Sequence, residues 1–499
     1  MPRVPRSISA RPRPRLRPSR VALAVTVATV VAAGSVYAIT KQDPGKAYEQ
    51  SLVAQSKPLF GFGHPLASGA TGSTDAAGAG AVEAAAGLRV SVASDTVGED
   101  ADMIALWPDD ATPSVAFICN EIDSTAAENV GKATVQRVDL ATGDVTDLIT
   151  GTISCDPIHR TAWGTIVFGE ENGATGRLWE ILDPMSLTGT PIITLDRVAA
   201  TTSDPAKVVA RTALGQLSFE GVVLLPDGTT YYSDELRPSN GKPGGGMYKF
   251  VPATPFVGGG AITSLDQSPL VAGAVHVLRL GLRNGGTDYG QGSNGGAGKW
   301  FPLTTPANPT TFNLAATALA AGGYTGFYRP EDMDQDPLAW AAGRVRFCWN
   351  DTGNDTQQNW GETLCLEDAT TDATGFPTGT RPVVSPFVIG SPELRMPDNL
   401  DFQPGTGILY VLQDASTSLE GGATNDSVWA CLPDGADADV LSDGCVRVLN
   451  SLDGVGEWTG IEFFADGASF LINHQHRTQD GRAVPETTDM LRVSGIALP

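Results

Sequence analysis

Arg329 and Glu331 stand two apart in "TGFYRPEDMDQDP", separated only by Pro330. On an extended strand, positions two apart face the same way, so a guanidinium and a carboxylate would share one space. The fork of an arginine matches phosphate oxygens, and a carboxylate beside it can hold a hard cation. Four other stretches repeat the plan. Glu220 opens "FEGVVLLPDGTTYYSDE", which closes on Asp234 and Glu235, and "RTAWGTIVFGEENG" runs into Glu170 and Glu171. "MPDNLDFQPGTGILYVLQDAS" carries Asp398 and Asn399 and later Asp414, and "EWTGIEFFADGASFLINHQH" carries Glu457 and later Gln475 and His476. Any one of these acids reads equally well as half of a strand-end ion pair or as a solvated turn residue. Five equivalent placements point further, to carboxylates facing one axis whose mutual repulsion cations would relieve.

The elements that must position them are short strands. Fifty-eight Gly and 34 Pro without a collagen period imply many turns, and no long stretch of helical period stands out. Apolar runs such as "GVVLLPDGTTYYSDE", "GGMYKFVP", "GRVRFCWN" and "SFLINHQH" are separated by Gly, Pro, Asp and Asn. A hairpin returns the chain to the end where it began, so the acid before the first strand and the polar group after the second share one rim. Radial repetition would gather those rims round one axis. The expected fold is all-β, a β-propeller with large loop insertions, preceded by a signal or anchor segment and a flexible linker.

Charge bounds the partners. The net charge is −23, and the first twenty residues carry seven Arg and no acid, so the remainder sums to −30. A body this acidic does not suit nucleic acid or an anionic membrane, both of which need clustered cations. An Arg-rich segment followed by "VALAVTVATVVAAGSVYA" reads as a signal peptide or membrane anchor over residues 1–38, with a small-residue cleavage site at Ala38. Residues 39–87 read as a lead-in and Gly/Ala-rich linker, and 88–499 as the propeller. The body is expected outside the cytoplasm, periplasmic or secreted, or held at the inner membrane through residues 21–38. A monomer is expected.

Export permits disulfides. Cys348 with Cys365 and Cys431 with Cys445 each bracket a short acidic loop that a bridge could clip. Cys119 and Cys155 are left over, either as a third bridge or with Cys155 as a free thiolate, a soft ligand for iron or zinc. His159, four residues on, could join it; of His474 and His476, one is expected to face the site. No zinc spacing, Walker loop or G-x-S-x-G elbow is present.

In order along the chain, "ICNEI", "SCDPIHRTAWGTIVFGEENG", "SFEGVVLLPDGTTYYSDE", "GGGMYKFVPA", "GKWFPL", "YRPEDMD", "DNLDF" and "WTGIEFFADGASFLINHQH" resemble the PhoX-type alkaline phosphatases, secreted bacterial propeller enzymes. The resemblance implies hydrolysis of phosphate monoesters at a mixed iron–calcium cluster, with a metal-bound oxide or hydroxide attacking phosphorus. It places the iron-ligating Cys on Cys155, a metal-binding Glu on Glu220, and the Arg-x-Glu pair on Arg329 (phosphate) and Glu331 (metal). Of the family's Asn-His-Glu element only Glu121 matches; Cys119 and Asn120 stand in the other two places. The expected catalytic residues are therefore Arg329 and Glu331, and the expected metal ligands are Cys155, Glu121, Glu170, Glu171, Glu220, Asp234, Glu331 and Asp398. Two readings from other classes stand beside this one. One is a non-catalytic, calcium-stabilised propeller that binds a partner or glycan; the other is a calcium-dependent propeller lactonase or sugar dehydrogenase.

Overall fold

The alternation of β-branched and aromatic residues with tight Gly and Asp turns folds into blades, each built on four antiparallel strands. The computed structural model describes residues 51–498 apart from 75, 240–241, 281–293, 371–380, 416–423, 434–443, 477, 480–481 and 484–487. Six inner strands adjoin one another in a closed ring. In chain order they are Ala101–Trp107, Cys155–Arg160, Phe219–Leu224, Pro330–Gln335, Pro397–Phe402 and Glu457–Phe463, and they define blades 1 to 6. The structure is a six-bladed propeller.

Each inner strand pairs with the next strand of its own blade. The partners are Val115–Asn120, Thr165–Glu170, Thr230–Asp234, Arg344–Asp351, Leu409–Gln413 and Ser469–Gln475. Blades 3 and 4 are fused at their outer edges. Gly296–Pro302 pairs on one side with Gly273–Leu280 of blade 3 and on the other with Val383–Ile389 of blade 4. Blade 6 is built from both ends of the chain, because its outermost strand, Arg89–Ser94, pairs with Asp489–Ser494.

Side chains on the inner strands stitch neighbouring blades together. Asp332 and Asp334 of blade 4 accept from the backbone N–H groups of Leu400 (3.1 Å) and Phe402 (3.1 Å) of blade 5. Asn399 and Asp401 of blade 5 accept from Gly460 (3.0 Å) and Phe463 (2.7 Å) of blade 6. These bonds satisfy backbone donors that the ladder of a single blade leaves open.

Residues 51–87, read as part of the lead-in and Gly/Ala-rich linker, pack against the blades. Leu52, Phe60, Phe62 and Ala85 are buried in the core shared by blades 5 and 6. Val82–Ala84 adds a strand to blade 5 by pairing with Cys445–Ser451. The few large apolar residues in this Gly/Ala-rich stretch act as anchors, and its small residues let the backbone lie close to the blades. A Cβ on Gly63 would come within 2.5 Å of the Ala86 carbonyl oxygen. The signal or anchor segment, residues 1–38, lies outside the described residues.

Candidate metal centre

The inner strands share one irregularity. In every blade three residues of the inner strand span two residues of its partner. The shifts fall between Ala101 and Ile104, Cys155 and Ile158, Phe219 and Val222, Pro330 and Met333, Pro397 and Leu400, and Thr459 and Glu462. Each is a β-bulge, which re-aims the extra residue. The residue right after the first paired position is Asp102, Asp156, Glu220, Glu331 and Asp398 in blades 1 to 5, and Gly460 in blade 6. Five blades thus present a carboxylate at one structural position. Blade 6 cannot, since a Cβ on Gly460 would lie 2.1 Å from the Asp102 carbonyl oxygen.

A second tier comes from the returning strand. One residue past the partner of that first position stand Glu121, Glu171, Glu235, Thr352 and Asp414 in blades 1 to 5. Their backbone N–H groups donate to the carbonyls of Asp100, Ser154, Ser218, Arg329 and Met396 at 2.7–3.2 Å, which extends each hairpin by one rung. Blade 6 pairs two residues nearer the rim and contributes Glu457, with His476 following its partner Gln475. The first tier is buried, and the acids of the second are partly exposed.

The carboxylates form a connected arc. Asp102, Glu121 and Asp156 each bring an oxygen within 4.8 Å of the others, as do Asp156, Glu171 and Glu220, then Glu220, Glu331 and Asp398, then Asp398, Asp414 and Glu457. Burial holds Asp156, Glu220, Asp398 and Glu457 protonated far above the usual carboxylate range, and neighbouring acids add to it. Glu171 is pushed up to about 12 by burial and by Glu235 beside it. Asp102 Oδ1 and Asp156 Oδ1 are buried and receive no hydrogen bond among the described residues. Buried oxygens with no donor, facing other carboxyl groups, are the donor set that a multivalent cation neutralises. Calcium, which takes six to eight oxygens in adaptable geometry, fits it.

One cation of the protein's own enters this arc deeply. Arg329 precedes the inner strand of blade 4, where blades 1, 2, 3 and 5 carry Asp100, Ser154, Ser218 and Met396. Its Nε lies 3.0 Å from Glu331 and is also bonded to Glu235 of blade 3. Burial disfavours its charge, yet Glu331, Glu235 and Asp398 outweigh burial and hold the proton more tightly than usual. Its backbone is left-handed, with φ of +59°. The pair therefore meets through a turn, and not through the pleat of a strand as its spacing suggested. At the far side of the mouth His476, also left-handed at +54°, places Nδ1 3.2 Å from Asp100 and Nε2 3.5 Å from Glu457.

Of the residues expected to ligate metal, Glu121, Glu171, Glu220, Glu331 and Asp398 lie in the arc; Cys155, Glu170 and Asp234 do not. Cys155 is disulfide-bonded to Cys119 and offers no thiolate. Glu170 and Asp234 precede the second-tier acids by one residue, and strand alternation turns them away. Glu170 pairs with Arg197 at 2.6 Å and accepts from the Ile153 N–H, while Asp234 accepts from the Ser218 N–H at 3.0 Å. Asp102, Asp156, Asp414 and Glu457 belong to the arc and were not among the expected ligands. His474 is buried against Trp458, its Nε2 2.9 Å from Ser451 Oγ. His159 lines a separate cavity of about 360 Å³, together with Asp334, Asp401 and Glu462, and burial pulls its imidazole down to about 4. The other two cysteine pairs are bridged as expected.

The alkaline phosphatase PhoX family model matches residues 197–477, more than half of the chain. The chain belongs to the PhoX alkaline phosphatase family. It is an enzyme of alkaline phosphatase type, and this sets aside the non-catalytic propeller. Among solved structures, Pseudomonas fluorescens PhoX in complex with vanadate, a transition state analogue, shares the fold. It is 17% identical, with a TM-score of 0.59, over 88% of this chain and 98% of that one. The PQQ-bound aldose sugar dehydrogenase from Streptomyces coelicolor is 13% identical, with a TM-score of 0.39, over 83% and 100% of the two chains. The gluconolactonase XC5397 from Xanthomonas campestris is 11% identical, with a TM-score of 0.39, over 82% and 89%. No curated protein matches the chain in sequence. Within the PhoX family match lie Arg329, Glu331, all of blades 3 and 4 and the four main strands of blade 5; Asp102, Glu121, Asp156 and Glu171 precede it.

Proposed function

We propose that this PhoX-family chain hydrolyses phosphate monoesters outside the cytoplasm at a cation cluster held by Asp102, Glu121, Asp156, Glu171, Glu220, Glu331, Asp398, Asp414 and Glu457. The observation that carries the reading is an arginine at the mouth of an arc of clustered carboxylates, in which Asp102 Oδ1 and Asp156 Oδ1 are buried without a donor among the described residues. The cations supply neutralisation of the charge that builds on the phosphoryl oxygens. Arg329, partly exposed at the mouth and held through Nε by Glu235 and Glu331, grips two non-bridging oxygens in its fork, which orients the ester for in-line attack by water. The bond from phosphorus to the ester oxygen breaks, and the alcohol leaves with a proton. Glu331 serves twice, as an oxygen donor to the cluster and as the group that fixes the guanidinium. Walls of buried strand exclude bulk water from the arc and strengthen each of these interactions.

Calcium is the ion these oxygens suit. The resemblance assigned iron to Cys155, and that assignment loses its sulfur in the disulfide. Export follows from the Arg-rich, apolar N-terminus and from three disulfides, which persist in an oxidising compartment. Among the described residues no helix is long and apolar enough to cross a membrane. The substrate class is small phosphate esters, and the chain acts as a monomer.

The experiment is hydrolysis of p-nitrophenyl phosphate by the exported, calcium-loaded protein. Activity is expected at alkaline pH, lost on chelation and recovered when calcium returns. No hydrolysis by a folded, calcium-replete protein would sink the reading.

A further inference from the structure

A thiolate-ligated iron at Cys155 makes two demands on that sulfur: it must be free, and it must face the carboxylates. It meets neither. Cys155 is bonded to Cys119, 36 positions earlier, so the bridge joins the second strand of blade 1 to the inner strand of blade 2. Both residues are fully buried and pack with Val135, Ile149, Phe168 and Trp179 in the apolar core between those blades. The register gives the reason. Cys155 is the paired residue opposite Glu170, and Asp156 is the extra residue of the bulge that follows. Consecutive residues on a strand point to opposite sides, so the Asp156 carboxylate reaches the arc while the sulfur lies behind it. Glu170, across from Cys155, is turned the same way, toward Arg197.

We infer that the metal centre of this chain has no sulfur donor: it is built from carboxylate oxygens alone, takes oxygen-seeking cations of the calcium type, and holds no thiolate-bound iron. This rests on the cation cluster proposed above and specifies its chemistry. Hard cations prefer carboxylate oxygen, whereas thiolate selects softer or more strongly covalent metals. The sulfur able to supply that covalency is spent on the bridge. In its place the bridge has a positional task. Cys119 lies two residues before Glu121 and Cys155 one before Asp156, so the bond clamps blades 1 and 2 directly behind two acids of the same cation group.

Three measurements on the exported protein test this. Thiol titration of the denatured, unreduced chain is expected to find no reactive thiol. X-ray absorption on protein loaded with calcium and iron together is expected to show only oxygen neighbours round any bound metal. The C119A/C155A variant, if folded by circular dichroism, is expected to bind the same number of cations per chain as the parent. A metal–sulfur distance of about 2.3 Å, free thiols in the unreduced chain, or one cation lost from the folded double variant would each overturn the inference. Should the double variant fail to fold, the absorption spectrum of the parent still decides. An oxygen-only shell in a protein without phosphatase activity would uphold this inference and refute the proposed function; a sulfur shell in an active enzyme would do the reverse.

Discussion

Replacing Arg329 would separate the proposed phosphate grip from the proposed cation cluster. The guanidinium lies 3.0 Å from Glu331 and is also bonded to Glu235. At an effective dielectric constant of about 20 a charge pair at that distance attracts by roughly 5–6 kcal/mol, most of which desolvation takes back. In the calcium-loaded protein the cluster compensates Glu331, so R329A should lower stability by only about 1–3 kcal/mol. Its effect on turnover should be larger. A charged, forked donor to the transferring phosphoryl group is worth about 10²–10³ in rate, or about 2.7–4 kcal/mol. R329A should therefore lose about that factor in kcat/KM, while R329K, which keeps the charge without the fork, should recover about tenfold. Inhibition by inorganic phosphate should weaken in parallel. Because φ at this position is +59°, R329G should match R329A in activity yet be more stable by about 1 kcal/mol, since glycine adopts this conformation without strain. Steady-state hydrolysis of p-nitrophenyl phosphate, with calcium content measured on the same samples, reads all three variants. If R329A keeps kcat/KM within about threefold and phosphate inhibits it as before, Arg329 does not hold the phosphoryl group.

Three further outcomes follow from the buried acids. E170Q should lower the melting temperature by breaking a buried pair with Arg197, a loss of about 3–5 kcal/mol, with calcium stoichiometry and kcat intact; E171Q should cost a cation. Burial raises Asp156, Glu220, Asp398 and Glu457 above their unfolded values, Asp234 and Asp332 to about 7, and Glu171 to about 12. Their contribution is whole below about pH 4, the unfolded carboxylate range, and is lost as pH climbs through the raised values. Chelated protein should accordingly melt at lower temperature as pH rises from 5 to 9, and calcium should restore more stability at the alkaline end. A chelated melting curve that stays level or rises over that span would contradict the buried arc.

The propeller and part of its acid set were legible because both depend on local pattern. Apolar runs with Gly and Asp turns report hairpins, and an acid before one strand and another after the next report a shared rim. Glu220, Glu331 and Asp398 came from that pattern. The choice between Glu170 and Glu171, or Asp234 and Glu235, did not, because it turns on which member of a consecutive pair lies past the last ladder rung. Asp102 and Asp156 left a signal that went unread: "ADMI" and "CDPI" carry an acid second and an apolar residue or proline third, much as "FEGV", "PEDM" and "PDNL" open on the same bulge. In "CDPI" the cysteine drew the assignment and the aspartate beside it was passed over. The blade number was hidden by topology, since Gly296–Pro302 merges two sheets and blade 6 borrows a strand from residues 89–94.

That borrowed strand has a consequence for how the protein comes into being. Ser91 and Arg492 are hydrogen-bonded neighbours 401 positions apart. The ring cannot shut until nearly the whole chain has been made, and such a closure is the slow, entropically costly kind. Asp398 and Asp414 in blade 5 share a cation group with Glu457 in blade 6, while Asp102 belongs to blade 1 on the far side of the seam. Five blades alone would carry most of the carboxylates yet leave the arc gaping where blade 6 should stand. A cation held by the proposed cluster would then report completion, bound in full only by a chain whose two ends have met, and its concentration where the protein folds would become a term in the yield of finished enzyme.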